Sequence, residues 1–120
     1  MKNIMVVDDD MNIRSALSRE LRFHGFNIIP AETGQMALNK LETQPVDLVM
    51  VDMRMPVMGG IEFIRKVVVE HPQIQIIILS GTITKEVIAS IAPYRDNILD
   101  VIAKPWDQDS LIELIKAATS

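Results

Sequence analysis

Cysteine is absent from the 120-residue chain, which excludes disulfides and any thiolate metal site and leaves the redox compartment unmarked. Histidine is scarce: His24 and His71 are the only two. Both stand near predicted helix C-termini, where an imidazole meets the helix dipole favourably, and neither is placed for zinc. Positive charge is in deficit. Twelve Lys and Arg against sixteen Asp and Glu leave a net charge of −4, which argues against a nucleic-acid or anionic-membrane surface. Long hydrophobic runs are missing too. Met1-Lys2-Asn3 is followed by four apolar residues and then Asp8-Asp9-Asp10, too short for a signal peptide or a membrane span, so a cytoplasmic location is expected. No glycine-rich run leads into Lys-Ser/Thr, so Gly59-Gly60 is not a phosphate-cradling loop. Without repeats, linkers or low-complexity stretches, the chain reads as one domain over residues 1–120.

What is present is a regular alternation. A hydrophobic share of 48% excludes disorder. Short apolar runs occur at Ile4–Val7, Phe26–Ile29 (the weakest), Leu48–Val51, Ile74–Leu79 and Ile98–Ala103. Continuous β-branched runs without polar alternation suit strands covered on both faces, as in a parallel sheet. Between them, helical faces are predicted from Ile13, Ala16, Leu17 and Leu21, from Met36, Ala37 and Leu41, and from Ile61, Ile64 and Val68. Val87, Ile88 and Ile91, and then Leu111, Leu114, Ile115 and Ala118, supply two more. Gly25 follows the first helix as a C-terminal cap, and Pro45 and Pro72 close the second and third. Thr33 and Asp107 are placed to cap the second and fifth helices, and Asp10 reads as a turn former or cap. The expected fold class is α/β: a (βα)5 doubly wound parallel five-stranded sheet with helices on both faces.

Four of the five strands end in a polar residue: Asp8-Asp9, Asp52, Ser80 and Lys104. A parallel sheet delivers every C-terminal strand end to one edge, where open α/β folds place their sites. Three carboxylates, a hydroxyl and an ammonium are therefore expected to converge. Clustered carboxylates repel one another unless a cation is present, and Mg²⁺ favours one or two carboxylates, retained waters and a phosphate oxygen. Mn²⁺ is the substitute ion. A carboxylate can attack phosphorus to give an acyl phosphate, and a cation, a Lys ammonium and a hydroxyl can stabilise the charge spread over the transferring oxygens. The set fits phosphoryl transfer to an aspartate.

Over essentially its whole length the chain resembles the receiver domains of bacterial two-component response regulators. The resemblance is carried by Val6-Val7-Asp8-Asp9-Asp10, by Asp47-Leu48-Val49-Met50-Val51-Asp52 continuing through Met53-Arg54-Met55-Pro56-Val57-Met58-Gly59-Gly60, by Ile77-Ile78-Leu79-Ser80-Gly81, and by Ala103-Lys104-Pro105-Trp106. It implies a flavodoxin-like strand order of 2-1-3-4-5. It also implies that Asp52 is the phosphoacceptor, and that Asp9, Asp52 and the backbone carbonyl of Arg54 ligate Mg²⁺, with Asp8 acting through water. Ser80 would bond a phosphoryl oxygen, and Lys104 would bridge the phosphoryl group and a carboxylate across a cis bond to Pro105. The implied partners are a sensor histidine kinase or phosphotransfer protein, an output domain outside these residues, and a second copy. The signal would leave through Thr84 to Tyr94, Leu99 to Ala103 and Ser110 to Ala118. No nucleic-acid or membrane contact is implied within the domain, and no turnover of an independent substrate.

Departures from the family pattern sharpen these expectations. Val101 occupies the position three before the lysine where receivers commonly carry Tyr or Phe, so an aromatic rotamer cannot be the readout. Gly59 replaces a more usual Asp or Asn and is a tolerable cap. Gly81 keeps the small volume that phosphoryl access needs, and Arg54 and Thr82 occupy positions that tune phosphate lifetime. Trp106 is expected to cover the start of the last helix. Two other functions compete. A haloacid-dehalogenase-like phosphohydrolase would use Asp8 of the Asp-x-Asp as nucleophile, and a pseudo-receiver would use the fold as an interaction module without phosphorylation.

Overall fold

The computed structural model describes residues 2–54 and 58–120; the Met55-Pro56-Val57 portion of the motif after Asp52 lies outside the described residues. In chain order the elements are β1 (Asn3–Val7), α1 (Met11–Phe23), β2 (Asn27–Ala31), α2 (Gly34–Leu41) and β3 (Leu48–Asp52). They continue as α3 (Gly60–Glu70), β4 (Gln75–Ser80), α4 (Lys85–Ile91), β5 (Ile98–Ala103) and α5 (Gln108–Thr119). All strand pairs are parallel and the sheet order is β2-β1-β3-β4-β5, as expected. A short 3₁₀ turn at Ala92–Tyr94, which the apolar pattern does not foretell, links α4 towards β5.

The alternation of side chains along each strand divides the core in two. Met5, Val7, Val49, Val51, Ile76 and Ile78 join the buried residues of α2, α3 and α4. Ile4, Val6, Leu48, Met50, Ile77 and Leu79 join those of α1 and α5. The central strands are therefore continuously apolar over Ile4–Val7, 48–51 and 76–79, and a slip of one residue would exchange the two cores. Each fully buried side chain such as Phe63 or Ile115 contributes about 1.5–3 kcal/mol relative to exposure.

Local signals place the helices. Asp10 caps α1 by accepting from the amides of Asn12 and Ile13, Thr33 caps α2 through the Met36 amide, and Asp107 caps α5 through the Ser110 amide. At the far end of α1, the Phe26 amide donates to Leu21 and the Gly25 amide to Arg22. This paired closure requires the left-handed backbone that Gly25 adopts at φ +91°. His24 and His71 sit at the C-terminal caps of α1 and α3.

Three details differ from the expected pattern. The second strand lies at Asn27–Ala31 rather than Phe26–Ile29; it carries Pro30, which an edge strand tolerates because its missing N–H costs no central ladder bond. In α3 the buried stripe is Gly60, Phe63, Ile64 and Val67, with Ile61 and Val68 only partly covered. The run from Ile61 to Val69 is apolar on too many sides for periodicity to centre the face. Met36 and Ile88 are 42% and 48% exposed rather than inward, because α2 and α4 are short and bury only narrow stripes.

Candidate functional site

The C-terminal edge of the sheet gathers the polar strand ends. Among the described residues Asp8, Asp52 and Ser80 are buried polar side chains on strand ends, and Asp9 is exposed at the rim. Each of Asp8, Asp9 and Asp52 offers a carboxylate oxygen, and the three oxygens lie within 4.8 Å of one another. The Lys104 ammonium bridges two of them, with Nζ 3.4 Å from Asp8 Oδ2 and 3.3 Å from Asp52 Oδ2.

The backbone holds these groups in register. Parallel pairing sets Val7 beside Val51, Asp52 beside Leu79 and Ser80 beside Ala103. The Lys104 amide donates to the Ser80 carbonyl at 2.9 Å, so hydroxyl and ammonium share one backbone link. The Lys104–Pro105 bond is cis. Asp8 Oδ1 accepts from the Asp10 amide at 2.9 Å, and Asp52 Oδ1 accepts from the Arg54 amide at 3.2 Å. Burial pushes the Asp8 carboxyl above its ordinary pKa; the neighbouring Asp52 charge adds to this, while the Asp10 amide and Lys104 pull it back.

Three features have no counterpart in the apolar pattern. Arg14 Nη1 donates to the Asp8 carbonyl at 2.8 Å while Nη2 faces Glu32 at 3.6 Å; nothing in the sequence marks a guanidinium folding back from α1. The Ser80 hydroxyl donates to the Thr82 carbonyl at 2.6 Å and accepts from the Thr82 amide at 3.3 Å, so it is engaged by its own loop. Gly60 begins α3 against the residue that follows Asp52: a Cβ there would stand 2.8 Å from Met53 Cα. The tandem glycine was the available signal for that approach. Trp106 packs against the α1/α5 core, consistent with a cover over the start of α5.

The donor set suits a hard divalent cation: oxygen only, two carboxylates held by backbone amides, and an exposed third at the rim. It also places a buried carboxylate beside an ammonium at an edge where phosphoryl oxygens could be received.

Comparisons with known proteins bear on this edge. A family model described as the response regulator receiver domain matches residues 4–116. The DNA-binding transcriptional regulator NtrC of Klebsiella pneumoniae is 32% identical over 96% of this chain, which covers 24% of that protein. The CAI-1 autoinducer sensor kinase/phosphatase CqsS of Vibrio cholerae is 34% identical over 97% of the chain, which covers 17% of it. The chain thus spans about a quarter or less of the curated relatives it matches. Among solved structures, the response regulator protein TrrA of Thermotoga maritima, in complex with Mg²⁺ and BeF, superposes with a TM-score of 0.85 at 31% identity, over 98% of this chain and 99% of that one. The signal receiver domain of an HD domain-containing protein from Pseudomonas fluorescens gives a TM-score of 0.92 at 25% identity, over 98% and 94%. Among the described residues no helix is long and apolar enough to cross a membrane.

Proposed function

Because the chain belongs to the response regulator receiver domain family, a signalling module of two-component systems rather than a conventional enzyme, we propose that it is a phosphorylation switch whose acceptor is Asp52. The observation that carries this is the Asp52 carboxylate, buried at the end of β3 with Lys104 Nζ at 3.3 Å and the oxygens of Asp8 and Asp9 within 4.8 Å.

Asp9, Asp52 and the Arg54 carbonyl would hold Mg²⁺, with Asp8 reaching it through water. Bound there, the ion would supply positive charge to the transferring phosphoryl oxygens. An Asp52 oxygen attacks the phosphorus of a phosphohistidine, the P–N bond breaks, and its electron pair stays on the imidazole nitrogen of the donor. Lys104 is placed to move from a carboxylate to a phosphoryl oxygen without leaving Asp52. Ser80 can donate to a second phosphoryl oxygen only by releasing the Thr82 carbonyl, which couples acceptance to a rearrangement of the loop after β4. With Val101 half-buried on β5 rather than an aromatic, that loop and the outer strand carry the change.

The donor would be a sensor histidine kinase or phosphotransfer protein, and the response would be read by an output domain outside these residues or by a second copy through the α4-β5-α5 face. Ile83 and Ile88, 42% and 48% exposed, give that side apolar surface to offer. Amide exchange across Thr84–Tyr94 and Leu99–Ala103 should change on addition of beryllofluoride, a phosphoryl mimic; identical exchange would count against this route.

The test is intact mass after incubation with acetyl phosphate and Mg²⁺, for the wild type and Asp52→Asn, with EDTA controls. One added phosphoryl group that needs Mg²⁺ and is lost in Asp52→Asn is the expected result. Absence of an adduct, with no beryllofluoride response, would favour a pseudo-receiver. An adduct retained in Asp52→Asn but lost in Asp8→Asn would favour a phosphohydrolase.

A further inference from the structure

Running back from Arg14, which bonds the Asp8 carbonyl at the acidic edge, α1 carries a cationic strip that the proposed switch does not use. Arg14, Ser15, Ser18, Arg19 and Arg22 lie along one side of the helix by their three- and four-residue spacings. With Pro30 of β2 they line an open cavity of about 230 Å³. Three guanidiniums around one small cavity are a local excess of positive charge in a chain of net charge −4.

The charges are poorly neutralised from within. Arg14 has Glu32 at 3.6 Å, and that carboxylate is 64% exposed. Among the described residues neither Arg19 nor Arg22 has a carboxylate within salt-bridge distance. Arg19 and Arg22 are neighbours on adjacent turns, where like charges destabilise a helix. Ser15, exposed on the same side of the helix, adds a hydroxyl to the lining. The arginines are donors only, and the Ser15 hydroxyl can donate. An acceptor-rich anion complements such a lining. Guanidinium forks match phosphate oxygens in geometry, and the volume, below that of drug-sized pockets, suits a phosphate group rather than a whole nucleotide.

We propose that this groove between α1 and β2 binds a phosphate group, as the free ion or as the terminal group of a small phosphomonoester, with Arg19 and Arg22 as its charged clamps and Ser15 as a hydroxyl donor. The site is separate from Asp52 and does not depend on its phosphorylation.

The test is a ¹H–¹⁵N titration in EDTA, where the carboxylate edge has no cation to attract an anion. The probes are inorganic phosphate, glycerol 3-phosphate, a short single-stranded oligonucleotide, and sodium chloride at matched ionic strength. Saturable shifts at Ser15, Ser18, Arg19 and Arg22 are expected with a phosphate probe and not with chloride. The Arg19→Gln/Arg22→Gln variant should raise the midpoint about tenfold. Ser15→Ala should weaken binding without lowering the melting temperature, since Ser15 is exposed on the helix surface. A response to inorganic phosphate alone identifies the free ion, and a response to the ester alone identifies the phosphomonoester; both support the site. Shifts that chloride reproduces, a midpoint unchanged in the double variant, or a saturable response only to a single-stranded oligonucleotide would overturn it.

Discussion

Replacing Asp8 by asparagine should make the protein more stable at neutral pH, although it damages the acidic edge. The Asp8 side chain is wholly inaccessible, and the charges around it oppose one another. The Lys104 ammonium at 3.4 Å contributes about 5 kcal/mol of attraction at an effective dielectric of about 20. Asp52, with an oxygen within 4.8 Å, returns about 3.5 kcal/mol of repulsion on the same scale. Asp9, exposed and better screened, subtracts a little more. What remains does not offset the several kcal/mol that withdrawal of a carboxylate from water costs. That balance is why burial raises the Asp8 pKa. Asparagine keeps the volume and the oxygen that accepts from the Asp10 amide. The expected gain is about 1–2 kcal/mol, or about 4–8 °C in Tm. A carboxyl whose folded pKa is raised contributes stability below its unfolded pKa and loses it as pH rises through the folded value. The two proteins should therefore melt together near pH 3.5 and diverge towards pH 7. Circular dichroism melts in EDTA across this range measure the gap. A variant less stable at pH 7, or a gap widest in acid, would refute the reasoning.

The adjacent glycines at the start of α3 should respond in opposite ways. Nothing lies within 4 Å of a Cβ at Gly59, which caps α3 in an extended conformation without a side-chain bond, so Gly59→Asn should stabilise by about 0.5–1 kcal/mol in urea melts. Gly60→Ala drives a methyl to 2.8 Å from Met53 Cα and should cost about 1–3 kcal/mol, with slower labelling by acetyl phosphate because Met53 follows Asp52, the proposed acceptor. Thr33→Ala removes the cap on the Met36 amide and should cost about 1 kcal/mol, read as a lower urea midpoint at unchanged slope. The Ser110 hydroxyl and amide hold the Asp107 carboxyl below its ordinary pKa. Its stabilisation is present above the unfolded pKa and lost as pH falls through the folded value, so Asp107→Ala should speed Ser110 amide exchange at pH 7 and have no such effect well below the carboxylate range.

Much of this arrangement is legible from residue order because a parallel sheet turns sequence into position. Once Asp8, Asp52, Ser80 and Lys104 each end a strand, topology alone brings them to one edge. Capping by Asp10, Thr33 and Asp107 was legible for a similar reason, since each acts within three residues of itself. What was not legible depends on the third dimension. The fold-back of Arg14 onto the Asp8 carbonyl spans six residues across a loop, and the engagement of Ser80 by Thr82 depends on how that loop turns. The face of α3 could not be centred because its apolar residues surround the helix, and only the neighbouring sheet selects Phe63 and Val67. Pro30 obscured β2 for the opposite reason: it is a poor strand former that an edge position permits.

The backbone bond from Lys104 to Ser80 has a thermodynamic consequence. β5 is one of the two outer strands, partly exposed along its length, and its last residue leads directly into Lys104. Under the proposed function, a partner that gripped this edge would act on the same hydrogen-bonded connection that a phosphoryl group on Asp52 would pull from within. Linkage requires the two effects to be equal: if phosphorylation tightens a partner's binding tenfold, the bound partner favours the phosphorylated state tenfold in return. Such an edge would be a two-way gear, and the partner it meets would help to set how much of the protein is switched on.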